Sequence, residues 1–485
     1  MAASSELAGV GVLVIGLARE GTAVARYLAQ RGASVVATDL KPASELGAAL
    51  AALAGLPITY VLGEHPQQLL DAVDVVFVSP GVPSDNPLLV ATRQRALPLS
   101  SETRLFTRLC PAPIVGITGS SGKTTTTALT GEMIRTSGRR TWVGGNIGKP
   151  LLMELGRIAA TDVVVMELSS FQLELLSGTL GHGESYPAHL ARAGLLDRAG
   201  WSPHIAAVLN ITPNHLDRHP SMDAYIAVKA LILSHQGVDD TSVLGWDNPW
   251  TRRLGLETKC PHVQWFSIFE EVEEGAFLSQ DRLTLRLSGH DQIICRRGDL
   301  RLLGDHNVAN VLAASTLAAA AGAPIQAIAD AATTFRGVEH RLELVRECKG
   351  VRWYNDSIAT TPERTIAALR AFDAQVILLA GGRDKHLPWA DMAALAWARV
   401  KHLILFGEAA ALIEREMLRS PSSSHGACRL HRCQSLEQAV DLAATLAMAG
   451  DLVLLSPGGT SFDAYPDFAA RGEHFRQLVK SLEQA

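Results

Sequence analysis

The run Val115-Gly116-Ile117-Thr118-Gly119-Ser120-Ser121-Gly122-Lys123-Thr124-Thr125 carries the residue types needed to grip a nucleoside triphosphate. Gly119 and Gly122 let the backbone turn tightly, so the N–H groups of Ser120, Ser121 and their neighbours can face phosphate oxygens. Lys123 adds a mobile positive charge and Thr124 a hydroxyl suited to Mg²⁺. A helix predicted from Thr125 to Arg135 aims its positive end at the same anion. The eight-residue pattern wants glycine where Ile117 stands, so the match is to the shorter T-G-x-x-G-K-T form. An ordinary strand-to-helix turn is the competing reading. The β-rich run Pro113 to Ile117 before the loop and the four threonines after Lys123 weigh against it.

Further along, Asp162-Val-Val-Val-Met-Glu167 reads as a buried strand ending in a carboxylate, where a second Mg²⁺ ligand belongs beside a phosphate loop; a helix cap is the alternative. Ser169 and Ser170 follow with hydroxyls. After the strand Ile205 to Asn210 comes Asn210-Ile-Thr-Pro-Asn-His-Leu-Asp-Arg-His219, in which His215 or Asp217 can meet metal or substrate, or simply face solvent. Lys229 lies in a predicted helix, Asp223 to Leu233, that is apolar nearly all round. Burial would lower its pKa and free a neutral amine as a nucleophile or modifiable group, unless the chain snorkels to water.

Two other regions end apolar strands in anion-sized turns. Gly11 to Gly16, Gly21 and a second strand closing at Asp39 resemble a looser dinucleotide fingerprint, with Ala18 in place of the middle glycine. NAD, another nucleotide or a bare βα turn all fit that pattern. Asp74 to Gly81 is a further strand and turn of the same region. Near the C-terminus, His340-Arg341, the turn Asn355 to Pro362, Ala380-Gly-Gly-Arg-Asp-Lys385 and Leu455 to Asp463 place Arg, Lys and Ser at strand ends, which suits an anionic substrate.

The elements that position these residues alternate strand and helix throughout. We therefore expect an α/β protein of three domains, each with a mainly parallel sheet: a Rossmann-like domain over 1–112, a central P-loop ATP-binding domain over 113–337 and a second Rossmann-like domain over 338–485. A length of 485 residues with 47% hydrophobic and 5% aromatic content suits three cores. The polar, glycine-bearing stretch 177–202 reads as an inserted surface loop or short helix pair. The formal charge of −5 gives no footprint for nucleic acid or an anionic membrane. Six scattered cysteines without a C-x-x-C pair argue against zinc or disulfides and for reduced thiols in a cytoplasm. The start Met1-Ala-Ala-Ser-Ser-Glu6 lacks the basic opening of a secretion signal, and no apolar run approaches ~18 residues, so no membrane insertion is expected.

Together the strings Gly116-Ile-Thr-Gly-Ser-Ser-Gly-Lys-Thr124, Gly144-Gly-Asn-Ile-Gly148, Glu167-Leu-Ser-Ser-Phe-Gln172, Leu209-Asn-Ile-Thr212, Gly304-Asp-His-Asn307 with Asn310, His340-Arg341 and Ser456-Pro-Gly-Gly-Thr-Ser-Phe-Asp463 resemble the Mur ligase family, over nearly the whole chain. Members are ATP-dependent amide-forming enzymes of peptidoglycan precursor synthesis. Glu-Leu-Ser-Ser-Phe-Gln beside a dinucleotide-like first domain is similar to the branch that adds D-glutamate, and the D-N-P-R string of the diaminopimelate-adding branch is missing.

The resemblance implies ATP, two Mg²⁺ sites and the small-molecule substrates UDP-N-acetylmuramoyl-L-alanine and D-glutamate, with a monomer expected. It implies that Gly119, Ser120, Ser121, Gly122, Lys123, Thr124 and Thr125 bind ATP phosphates, that Asn307 and Asn310 meet adenine, and that Arg341 and Asp356 meet phosphates and ribose. Thr124, Glu167, His215 and a Lys229 carbamylated by CO₂ would hold metal, and Lys123, His215 and Lys229 would be catalytic. Gly16, Arg19, Glu20, Asp39, Lys41 and Gly81 would hold the uridine nucleotide, with Asn146 toward the muramoyl-alanine part. Thr360, Lys385, Ser461 and Phe468 would hold D-glutamate.

Three features depart from the family pattern: Ile358 where some relatives have a lysine, Arg19 and Glu20 where small or apolar residues are expected, and the length of 177–202. The implied reaction runs through an acyl phosphate attacked by the amino group. Rival readings are another Mur-type or folylpolyglutamate-type ligase, or a non-catalytic ATP-binding regulator that keeps the loop.

Overall fold

The computed structural model describes residues 5–176, 190, 195, 200–213, 218–302, 304–372, 374–385, 387–420 and 428–482. The chain condenses into two compact units, Met1–Leu300 with Asp305–Thr334, and Arg301–Gly304 with Phe335–Ala485. Among the described residues three sheets form, each wrapped by helices.

The first unit holds two of them. β1 (Gly11–Ile15), β2 (Ser34–Asp39), β3 (Ile58–Leu62), β4 (Val75–Val78) and β5 (Leu99–Ser100) make an all-parallel sheet in the order β3-β2-β1-β4-β5. Val12 to Ile15 are wholly buried, as expected for a central parallel strand covered on both faces. The second sheet comprises β6 (Ile114–Thr118), β7 (Thr141–Gly145), β8 (Val163–Glu167), β9 (Ile205–Val208), β10 (Thr241–Gly245), β11 (His262–Ser267), β12 (Gly275–Ser279), β13 (Arg282–Leu287) and β14 (His290–Arg296), ordered β14-β13-β12-β11-β10-β9-β6-β8-β7. It is parallel up to β12 and antiparallel across β12-β13-β14.

One apolar cluster runs through both sheets' helices, from Leu7 to Leu244, and the helix Glu102–Leu109 packs on the 3₁₀ segment Leu151–Arg157. The two sheets therefore share a single compact unit. The stretch 177–202, expected to be an inserted surface loop or short helix pair, lies mostly outside the described residues, and its Leu190 and Leu195 belong to that buried cluster.

In the second unit, β15 (Glu343–Cys348), β16 (Val351–Asn355), β17 (Val376–Gly381), β18 (Val400–Phe406), β19 (Arg429–Arg432) and β20 (Leu452–Gly458) are ordered β15-β16-β20-β17-β18-β19. Only the β15–β16 pair is antiparallel. Apolar clusters fill both faces of this sheet.

Candidate active site

β6 sits in mid-sheet between β8 and β9, so its carboxyl end opens into the crevice where ligands of open α/β sheets bind. There the chain leaves the strand through Gly119 and enters the helix Lys123–Thr136 from Gly122, which holds φ +79° as the residue before the helix. A side chain at Gly122 would be strained and would collide with Asn310 Oδ1. The loop is braced from β9: Asn210 O accepts from Ser120 N at 2.9 Å, and Asn210 Oδ1 accepts from Ser121 N at 2.9 Å. Ser120 Oγ donates to Thr212 O and lies 3.2 Å from Tyr225 Oη. The loop is thus held in shape from β9, and the Ser120 and Ser121 N–H groups, expected to face phosphate, are bonded to Asn210 instead.

Glu167, 2% exposed at the end of β8, is the hub of the site. Its Oε2 accepts from Thr124 Oγ1 at 2.8 Å and its Oε1 from Asn146 Nδ2 at 2.7 Å. Asn146 also donates its backbone N–H to Glu167 O at 2.8 Å, and it can do so because Gly145 turns at φ +91°, where a Cβ would strike that carbonyl. A hydroxyl, a carboxylate and an amide thus meet beside the loop. Among the described residues no group of three or more His, Cys, Asp and Glu side chains converges. The Thr124 hydroxyl and the Glu167 carboxylate, both oxygen donors, fit a hard cation that keeps waters and takes further oxygens from a phosphate, as Mg²⁺ does.

Lys229 is 1% exposed in the helix Met222–Ala230, which starts at a Ser221 cap accepting from Ala224 N. Its Nζ donates to Gly119 O at 2.9 Å and to Thr118 Oγ1 at 3.4 Å, and lies 4.7 Å above the Tyr225 ring. Lys123 Nζ donates to the same Gly119 carbonyl at 3.0 Å. Burial first, then the neighbouring Lys123 charge, lowers the Lys229 amine to about 7, against the pull of Glu167. Near neutrality a large share of it is a neutral amine.

In the second unit the turn after β16 carries Asp356, buried with Oδ2 accepting from Ser456 Oγ at 2.9 Å and Oδ1 from Leu342 N at 3.2 Å. Burial pushes its carboxyl up to about 7. Arg471, 1% exposed, ties this turn to the one after β20: it donates to Ser357 Oγ and Ser357 O and to Gly459 O. Ser357 Oγ in turn donates to Phe468 O at 2.7 Å.

Residues 11–100 match the MurD-like N-terminal domain of Mur ligases, 117–181 and 187–318 the Mur ligase middle domain, and 340–459 the glutamate ligase domain of Mur ligases. The UDP-N-acetylmuramoylalanine–D-glutamate ligase of Symbiobacterium thermophilum is 41% identical over 471 residues, 97% of each chain. That of a Roseiflexus species is 42% identical, covering 98% of this chain and all of its own. The chain belongs to the Mur ligase family. The solved UDP-N-acetylmuramate–alanine ligase of Thermotoga maritima, 18% identical with a TM-score of 0.58 over 97% of this chain and 99% of its own, has the same fold.

In this Mur ligase the first unit brings together the loop residues 119–125, Glu167 and Lys229, and adds to them Asn146, which the sequence reading had placed toward the muramoyl-alanine part. His215 lies outside the described residues. Asn310 is buried beneath the loop, accepting from Thr126 Oγ1 at 3.3 Å and donating to Asn307 Oδ1 at 3.1 Å, so it ties Thr126 to Asn307. Asp39 accepts from Leu17 N at 2.7 Å and from Lys41 N at 2.9 Å, which holds the Gly16 turn beside β2. Lys41 and Gly81 are exposed near the ends of β2 and β4.

Two side chains assigned to the uridine nucleotide have other partners. Arg19 donates to the carbonyls of Gly148 and Asn146, and Glu20 is buried against Gln172 and Thr103. In the second unit, Lys385 is exposed, Thr360 and Arg341 are half-buried, Phe468 packs edge-on against His340, and Ser461 is buried in the turn after β20.

Sequence reasoning missed Arg471, Asn210's bracing role, Thr103 and Glu102. Asn210 and Gln172 lay inside strings already singled out; Arg471 sits in a helix with no motif to mark it.

Proposed function

We propose that this chain is the ATP-dependent ligase that joins D-glutamate to UDP-N-acetylmuramoyl-L-alanine in peptidoglycan precursor synthesis, with domains at 1–112, 113–337 and 338–485. The observation that carries it is the Thr124–Glu167–Asn146 cluster beside the phosphate loop, with a buried Lys229 on the same loop. The relatives' names supply the substrates.

The N-terminus of the helix Lys123–Thr136 and the Lys123 ammonium orient the triphosphate and draw charge off its γ-phosphate, so the substrate carboxylate can attack the γ-phosphorus, the bond to the β-phosphate oxygen breaks, ADP leaves and an acyl phosphate remains. Thr124, Glu167 and His215 would hold Mg²⁺, which when bound neutralises phosphate charge. Lys229, once carbamylated by CO₂, would offer an anionic oxygen to a second Mg²⁺. The D-glutamate amine, held by Thr360, Lys385, Ser461 and Phe468, then displaces phosphate. Gly16, Asp39, Lys41 and Gly81 hold the uridine nucleotide, Asn307 and Asn310 the adenine, and Arg341 and Asp356 the nucleotide's phosphates and ribose.

No helix among the described residues is long and apolar enough to cross a membrane. The reading has the enzyme working in the cytoplasm as a monomer. Phosphate release should need ATP, UDP-N-acetylmuramoyl-L-alanine and D-glutamate together; release driven instead by L-alanine or L-glutamate in an amino-acid panel overturns the substrate assignment.

A further inference from the structure

Arg19 and Glu20 open the helix Arg19–Ala29, and each is locally unfavourable. A cation in the first turn opposes the helix dipole, and a carboxylate at 8% exposure loses hydration. Local costs at adjacent residues need a compensating role. Both side chains leave the first sheet and reach the two segments that flank Glu167.

Arg19 Nη1 donates to Gly148 O at 2.7 Å, and its Nη2 to Asn146 O at 3.0 Å and Gly145 O at 3.5 Å. Its planar fork therefore clasps the turn whose Asn146 binds Glu167 through both backbone and side chain. Glu20 Oε1 accepts from Gln172 Nε2 at 2.8 Å and Oε2 from Thr103 Oγ1 at 3.3 Å. Gln172 Oε1 accepts from both Ser169 N and Ser169 Oγ at 3.0 Å, two residues beyond Glu167. From the loop at Gly16, one bonded chain thus runs through Arg19 to the near side of Glu167 and another through Glu20 to its far side.

We propose that Arg19 and Glu20 are positioning residues that clamp Glu167 and Asn146 to the Gly16 loop, so that the uridine-nucleotide site and the metal–triphosphate site are held in one frame. The inference rests on the roles given to Glu167 and the Gly16 loop under the proposed function. It makes the clamp, rather than direct nucleotide contact, the reason for two residues that depart from the family pattern.

The test uses the full chain and two probes, UDP followed by calorimetry without metal and Mn²⁺ with ADP followed by electron paramagnetic resonance. Arg19→Ala should leave the UDP Kd within two-fold and weaken Mn²⁺·ADP binding at least five-fold. Arg19→Lys, which keeps the charge but loses the fork, should fall between. Asn146→Ala should weaken Mn²⁺·ADP similarly, with the double variant little worse than either single one, because both act through one chain of bonds. Melting temperatures confirm that each variant folds. A ten-fold loss of UDP affinity in Arg19→Ala, or an unchanged Mn²⁺·ADP Kd, overturns the clamp. If Glu167→Gln also leaves Mn²⁺·ADP binding unchanged, the metal role of Glu167 itself fails, and the clamp with it.

Discussion

Lys229 is where burial makes the sharpest demand. An ordinary lysine amine, near 10.5, is neutral in about one molecule in a thousand at pH 7.5, whereas one held at about 7 is neutral in roughly three quarters. Only the neutral amine attacks CO₂, so burial favours carbamylation here over that of a surface lysine. The same shift sets a stability cost. Between about 10.5 and about 7 the unfolded chain takes up a proton that the native chain refuses, so stability falls as pH drops through that window. By pH 7.5 the loss is about 4 kcal/mol, and below about 7 it is complete.

Replacing Lys229 by Met should therefore raise the unfolding free energy near neutrality, while turnover falls about a hundred-fold or more. Lys229→Ala should lose turnover similarly and regain part of it with acetate or formate. With ¹³C-bicarbonate, the wild type should show a carbamate resonance, and bicarbonate should raise its melting temperature but not that of Lys229→Met. Full turnover in Lys229→Ala, or a bicarbonate-insensitive wild type without the resonance, refutes the reasoning.

Two further substitutions probe the frame. Burial raises the Glu20 carboxyl from 4.5 to about 7, beside a Glu102 raised in the same way. The native chain then keeps a proton that the unfolded chain loses as pH rises from 4.5 to about 7, so stability falls across that window and stays lowered above it. Glu20→Gln, which can still accept from Gln172, should match the wild type below pH 4.5 and exceed it above pH 7 by at most about 3 kcal/mol in urea unfolding; equal stability at pH 8 contradicts the burial argument. Arg471→Ala removes donors from Ser357 O and Gly459 O inside the second unit and should cost about 3 kcal/mol, with Arg471→Lys recovering little because it lacks the fork; a loss below about 1 kcal/mol by chemical denaturation would show that the tie between the two turns is dispensable.

The buried parallel strands were legible because a strand covered on both faces must be a continuous apolar run. β1, β4, β8, β9 and β20 all announce themselves this way. The β12–β14 meander was not, since it is half exposed: β14 shows four exposed residues before its first buried one, and Ile293 faces water. Its pattern is that of a polar loop as much as a strand. Nor could spacing reveal that the first two sheets share one apolar cluster, because Leu105, Phe106, Leu151 and Leu152 look like ordinary helix interior until the chain folds.

Within the site, legibility followed the range of the interaction. The phosphate loop is local: strand, glycines, lysine and threonine sit within a dozen residues, and the fold only presents them. Glu167 and Lys229 were readable from their own surroundings, a carboxylate ending a strand and a lysine in an apolar helix. Arg19 and Glu20 failed this test because their surroundings pointed to the nearest ligand loop, whereas their partners lie far along the chain, from Thr103 to Gln172. A charged pair beside a glycine turn reads as a binding site when the turn is viewed alone. What redirects it is the register of β7 against β8, which sets Gly145 opposite Glu167 and so brings the carbonyls of Asn146 and Gly148 within an arginine's reach. The partners of Arg19 are thus set by strand pairing and those of Glu20 by the packing of the helices that carry Thr103 and Gln172, so this charged pair is evidence about how sites are joined rather than about what either site binds.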